Sequence, residues 1–215
     1  MSHRRPWVIG VSGASGTPYA RAIVNALLDV GLPVDLIVSR AARLTILDET
    51  GISFRDSHWL DDLAVWLGEL RPRDVDAADL RFWPAGDLSA GPSSGSYPAR
   101  GMVVVPASSA AVAGIALGLS KDLLQRAADV TLKERRPLVV VPRETPLTRG
   151  TLRRMVELDE AGAVVLPASP AFYTGATSVQ QLVDFIAAKV LDVLGVEHSL
   201  ITRWTGELGG ARLTR

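Results

Sequence analysis

Along the chain, short runs of continuously apolar residues alternate with longer stretches of helical period. The runs cover residues 7–11, 33–38, 101–105, 138–141 and 163–166, are rich in β-branched side chains, and give way to serine or proline. Because they do not alternate apolar with polar, both faces of the sheet they form must be covered. Between them, residues 18–30, 41–48, 110–117, 121–135, 148–160 and 179–194 carry helical patterns. In the last, Val179, Leu182, Val183, Ile186, Val190, Val193 and Leu194 mark one face. This rhythm predicts an α/β fold, a three-layer sandwich around a mostly parallel sheet. Residues 56–95 break it, mixing acids and tryptophans with a Gly/Ser/Pro-rich end, and predict a short helix, an edge strand and a long functional loop.

The 215 residues suit one domain, taken as residues 1–195, that buries roughly 70% of its unfolded surface. Residues 196–215 lack a sustained period yet carry Leu200, Ile201 and Trp204. They are expected to pack as a C-terminal tail, most naturally on a neighbouring subunit. The 23 basic and 23 acidic side chains cancel, which argues against nucleic acid or an anionic membrane as the main partner. Neither a signal peptide nor a membrane-length apolar stretch is legible, so a cytoplasmic protein is expected. The absence of cysteine excludes disulfides, iron–sulfur clusters, thiolate zinc sites and a thiol nucleophile.

The zero sum hides a segregation. Residues 48–88 hold ten acids against four bases, and residues 121–154 nine bases against four acids, which points to the second stretch as the anion site.

The candidate chemistry begins where the first run ends, in Gly10-Val11-Ser12-Gly13-Ala14-Ser15-Gly16, directly before a helix. Such a turn is either an anion cradle or a packing turn. Its G-x-x-G-x-x-G spacing is neither the dinucleotide fingerprint nor a Walker loop. The second run ends in Ser39-Arg40 rather than an acid for a ribose, favouring a mononucleotide such as FMN over NAD. A second small-residue turn, Pro106-Ala107-Ser108-Ser109-Ala110-Ala111, opens another helix; its serines can cap the helix, touch a ligand, or both.

Arg126 and Lys133 share one helix face, and Arg143-Glu144 follow the next strand. The face reads either as a solvated surface or as an anion site. Only three lysines, Lys121, Lys133 and Lys189, stand against 20 arginines, which points to them as positions where a point cation matters. His3, His58 and His198 are too scattered for zinc, and no serine–histidine triad can be assembled.

Taken together, residues 10–16, Ser94-Gly95-Ser96, 102–108, 127–137, Pro142-Arg143-Glu144-Thr145-Pro146-Leu147, 160–163, Pro170-Ala171-Phe172-Tyr173 and 182–185 resemble the UbiX-type flavin prenyltransferases. The resemblance implies a Rossmann-like, flavodoxin-like flavoprotein without a metal, forming a homododecamer with flavin sites at subunit contacts. It implies transfer of a dimethylallyl group from dimethylallyl monophosphate to N5, then C6, of reduced FMN. A partner UbiD-type decarboxylase would receive the prenylated FMN.

Carried over, Gly13, Ala14, Ser15, Ser39, Ser108, Ser109, Ala110, Ala111, Arg126 and Arg143 would hold FMN. Lys133, Arg143, Tyr173 and Lys189 would grip the prenyl phosphate, and Trp204, also substrate-binding, could offer an aromatic face to the positive charge on the prenyl carbons. Ser15, Arg126, Lys133 and Glu144 would be catalytic, with Ser15 at the flavin's reactive edge and Glu144 handling protons. A carboxylate among arginines has a lowered pKa, which suits Glu144 as a base or relay.

Two positions depart from the family: alanine replaces the cysteine of Pro-Cys-Ser at Ala107, and Lys189 stands where an arginine is usual. The rival readings are a cysteine-decarboxylating relative, disfavoured by the absence of histidine around Pro18–Arg21, a direct aromatic acid decarboxylase, and a non-catalytic FMN-carrying subunit.

Overall fold

Each inner strand divides its side chains between two apolar cores. In the computed structural model, which describes residues 5–68 and 79–203, Trp7, Ile9 and Val11 enter one core and Val8 the other. Val103 and Val105 likewise oppose Met102 and Val104, as period-2 geometry requires of strands buried on both faces.

The elements run β1 (Trp7–Val11), α1 (Thr17–Asp29), β2 (Val34–Val38), α2 (Arg40–Thr50), α3 (Trp59–Leu67), β3 (Leu80–Pro84), β4 (Gly101–Ala107), α4 (Ser109–Ala116), α5 (Leu123–Lys133), β5 (Leu138–Pro142), α6 (Arg149–Glu160), β6 (Val164–Val165) and α7 (Val179–Leu194). All strand pairs are parallel, in the order β3-β2-β1-β4-β5-β6. That is the Rossmann order; without edge strand β3 it becomes the flavodoxin order.

The first core joins the sheet to α1, α2, α3 and α7, and the second to α4, α5 and α6. Fully buried side chains such as Ile9, Leu27, Leu36 and Leu124 each stabilise the fold by about 1.5–3 kcal/mol.

The expected α/β sandwich is present, and residues 56–95 do supply a short helix, an edge strand and a long loop. The fifth apolar run shrinks to the two residues of β6, and the helix expected over 121–135 starts only at Leu123, where the Asp122 side chain caps it. Trp66 is 1% exposed in the first core, Trp59 packs on Phe82 at 6.0 Å, and Trp83 on Tyr97 at 6.3 Å. All three are therefore engaged in packing. Val196, Leu200 and Ile201 pack on the first core. Trp204 lies outside the described residues.

One polar group lies deep in the sheet. Asp35 of β2 is 1% exposed and accepts a 2.6 Å bond from the Tyr97 hydroxyl. Burial pushes its carboxyl pKa up, and the Tyr97 bond pulls it partly back. Tyr97 closes the loop after β3, whose carbonyls are also held by Arg126 (Ser93 O, 3.1 Å) and Arg136 (Gly95 O, 2.7 Å; Tyr97 O, 2.8 Å).

Tyr97→Phe leaves Asp35 short of a donor and is expected to destabilise by about 1–3 kcal/mol in urea titrations. The folded carboxyl pKa lies above its unfolded value and rises further without the hydroxyl. The loss should therefore be larger at about pH 7 than at about pH 4.

Candidate active site

The carboxyl ends of β1, β2 and β4 each run straight into a helix, and these three turns meet at the switch point of the sheet. Ser12 ties two of them together. Its buried hydroxyl donates to Pro106 O at 2.7 Å and accepts from Ser108 N–H at 2.7 Å, while Ser39 N–H donates to Val11 O at 2.9 Å. Ser39 and Ser108 cap α2 and α4, accepting from Ala42 N–H (3.1 Å) and Ala111 N–H (3.2 Å). The capping alternative thus holds for Ser108, and Ser39 caps in the same way; the first amides of both helices have no intrahelical acceptors, as at any helix start. Gly13 presses on Ala41 of α2 so closely that a Cβ would collide with it. Gly16 needs its left-handed φ of 112° to enter α1.

The expected cradle differs in one respect, because the start of α1 is already filled by a carboxylate. Glu49, near the end of α2, accepts from Gly16 N–H (2.7 Å), Thr17 N–H (2.9 Å) and Thr17 Oγ1 (2.6 Å), and the nearby Ser15 side chain helps to lower its pKa. Burial pushes the Glu49 pKa up, but these bonds outweigh it and hold the carboxyl below its usual range. An outside phosphate is left the starts of α2 and α4, beside Ser39, Arg40 and Ser108–Ala110, together with the small Gly13–Ser15 turn. This donor set, with no acid after β2, fits the phosphate of an FMN.

The remaining candidates fall into separate groups. Arg143 reaches back from β5 to donate to Ser15 O at 2.9 Å, and Ser109 Oγ donates to Glu144 Oε2 at 3.4 Å, so both residues join the switch point. Glu144 takes another bond from Thr145 N–H, and among the described residues no arginine pairs with it.

Arg126 pairs with Asp129 at 2.8 Å, and Lys133 pairs with Glu134 against Gly95. Their positions on α5 are about 10 Å apart along its axis. Lys133 ends α5 just before β5 begins, whereas Arg143 follows β5, so within one chain they occupy opposite ends of the sheet. A cavity of about 510 Å³ opens beside Lys133, Arg135 and Arg136 at that far end. Tyr173 stands edge-on to Phe185 of α7 at 6.2 Å, and Lys189 lies one turn further along that helix.

The sequence reading missed Glu49, Ser12 and the Asp35–Tyr97 pair. Ser12 lay in plain view inside the glycine turn. Glu49 sits in an acid-rich stretch and acts 33 residues away, a pairing without a local signature.

Fold and turns together define a nucleotide-binding flavoprotein: residues 1–191 match the family model described as Flavoprotein. The chain is 66% identical over 214 residues to the flavin prenyltransferase UbiX of Streptomyces coelicolor, covering 97% of this chain and 99% of that protein. A crystal structure of AnUbiX (PadA1) in complex with FMN and dimethylallyl pyrophosphate matches with a TM-score of 0.81 and 35% identity, over 95% of this chain and 99% of that one. A dodecameric FMN-dependent UbiX-like decarboxylase from Escherichia coli O157:H7 matches with a TM-score of 0.81 and 36% identity, over 94% and 100%. The chain belongs to the flavoprotein family, on its UbiX-type flavin prenyltransferase branch. Among the described residues no helix is long and apolar enough to cross a membrane.

Gly13→Ala forces the turn off Ala41 and is expected to raise the FMN dissociation constant at least about tenfold, by flavin fluorescence titration.

Proposed function

We propose that the chain transfers a dimethylallyl group from dimethylallyl monophosphate to reduced FMN, making prenylated FMN for a UbiD-type decarboxylase. Beside its family membership, the observation that carries this reading is the Glu49 carboxylate held by the Gly16 and Thr17 amides at the switch point, with Arg143 bonded to Ser15 O in the same turn. When bound, reduced FMN supplies N5 and C6 as the positions that are alkylated. Both flavin and prenyl phosphate are charged metabolites that do not cross membranes unaided, which supports a cytoplasmic location.

The protein's own groups divide the work. Breaking the allylic C–O bond leaves its electron pair on phosphate, and Arg126, Lys133, Arg143 and Lys189 offset that growing charge from fixed positions. The Tyr173 hydroxyl adds a donor, and its ring face attracts the positive charge spread over the prenyl carbons. Glu49, already ionised and held by backbone amides, orients the Ser15 hydroxyl and can draw a proton through it. Glu144, positioned by Ser109, carries a second proton between site and phosphate.

These residues cannot all meet within one chain, because Lys133 and Arg143 lie at opposite ends of β5. We therefore take the working site to be composite, with residues 1–195 of one copy holding FMN and a neighbouring copy bringing Lys133, in a dodecamer. The exposed apolar side chains Phe172, Val179, Leu152 and Val156 support association.

Incubating enzyme and reduced FMN anaerobically with dimethylallyl monophosphate is expected to add one isoprene unit to the flavin's mass. An unchanged mass with every short prenyl phosphate contradicts the assignment. Glu144→Gln and Glu49→Gln should each slow turnover about a hundredfold or more. Their FMN affinity should stay within about threefold of the parent; loss of flavin binding instead would make both residues merely structural.

A further inference from the structure

Lys189 shares its carboxylate with a second cation. Asp192, one turn further along α7, receives Lys189 Nζ on Oδ2 at 3.2 Å, and on Oδ1 both Arg203 Nη2 at 2.9 Å and His198 Nε2 at 3.2 Å. Leu200 N–H donates to His198 Nδ1 at 3.3 Å, so the neutral ring carries its proton on Nε2 and gives it to Asp192. The His198 side chain is 3% exposed and fastens the segment after α7. Arg203 is the opposite case, with its side chain 63% exposed.

We propose that Arg203 is a substrate-binding residue, a guanidinium that Asp192 sets beside Lys189 to take the phosphate of the prenyl donor. The inference rests on the assignment of Lys189 to that phosphate. Asp192 does not repel the anion, because three donors fill its acceptor positions. Burial pushes its carboxyl pKa up, but the bonds from Arg203, Lys189 and His198 bring it down to about 2.

Lys189, Arg203 and Asp192 together leave one net positive charge. Among the described residues Arg203 spends only Nη2, so Nε and Nη1 remain for a planar, forked contact with phosphate oxygens. Lys189 offers only a point charge, so the pair supplies both modes of anion contact. Asp192 acts through these two side chains and is a positioning residue.

The test is steady-state prenylation of reduced FMN with dimethylallyl monophosphate, together with melting temperatures, for Arg203→Gln, Arg203→Lys and His198→Asn. Arg203→Gln is expected to raise KM for the monophosphate at least about tenfold while kcat falls less than about threefold, with Arg203→Lys in between. FMN affinity should be unchanged in both. His198→Asn removes the buried fastening but not the cation, and should lower the melting temperature with less than about a threefold change in KM. A KM in Arg203→Gln equal to that of the parent overturns the proposal. So does an equal rise in Arg203→Gln and His198→Asn, which would assign Arg203 to fastening alone. A parent enzyme that prenylates no flavin refutes the underlying reading instead, and inorganic phosphate binding by the parent and Arg203→Gln then decides whether Arg203 holds an anion at all.

Discussion

The Ser12 hydroxyl is the joint on which the site depends. By donating to Pro106 O and accepting from Ser108 N–H, it locks the turn after β1 to the turn after β4, where the sheet reverses its winding. With these turns fixed, Gly13 lies against Ala41 in the first turn of α2. A buried hydroxyl serving as donor and acceptor at 2.7 Å is rigid, because either bond lost leaves a buried polar group unpaired. That rigidity is what a site needs if its donors must stand in place before charge develops.

The start of α1 carries a carboxylate on its backbone amides, whereas at the start of α4 Glu144 meets the Ser109 hydroxyl. Glu49 uses the positive end of α1 to hold itself ionised, so that end is already occupied. Phosphate recognition then has to come from elsewhere. Cations do appear in two other places, at Arg126 and Lys133 around the pinned 93–96 loop, and at Lys189 and Arg203 around Asp192. Each group is braced by its own local network, which suits parts brought together by assembly rather than by folding alone.

Much of the fold was legible because strands buried on both faces leave continuous apolar runs and their helices leave a clear period. All five runs became parallel strands, and the helix over Val179–Leu194 matched its pattern end to end. Turn-borne residues were legible for the same reason: Gly13, Ser15, Ser39 and Ser108 lie where strand gives way to helix. What escaped was long-range. Asp35 lies inside an apolar run and meets Tyr97 from 62 residues away, and Glu49 reaches Gly16 across 33 residues. Neither pairing has a periodicity or motif, since three-dimensional proximity alone creates it. The family resemblance supplied Lys133, Arg143 and Lys189 as one set, whereas the single chain holds them apart.

The central claim is that one working site draws Glu144 and Lys133 from different copies of the chain, and mixed oligomers test it most directly. Lys133→Ala and Glu144→Gln chains, each inactive alone, would be denatured together in equal amounts, refolded with FMN, and assayed for flavin prenylation. A composite site predicts recovery of about a quarter of parental activity, because half the sites receive an intact Glu144 and half of those an intact Lys133. Activity no higher than that of either variant refolded alone would contradict it and place both residues in a single chain's site.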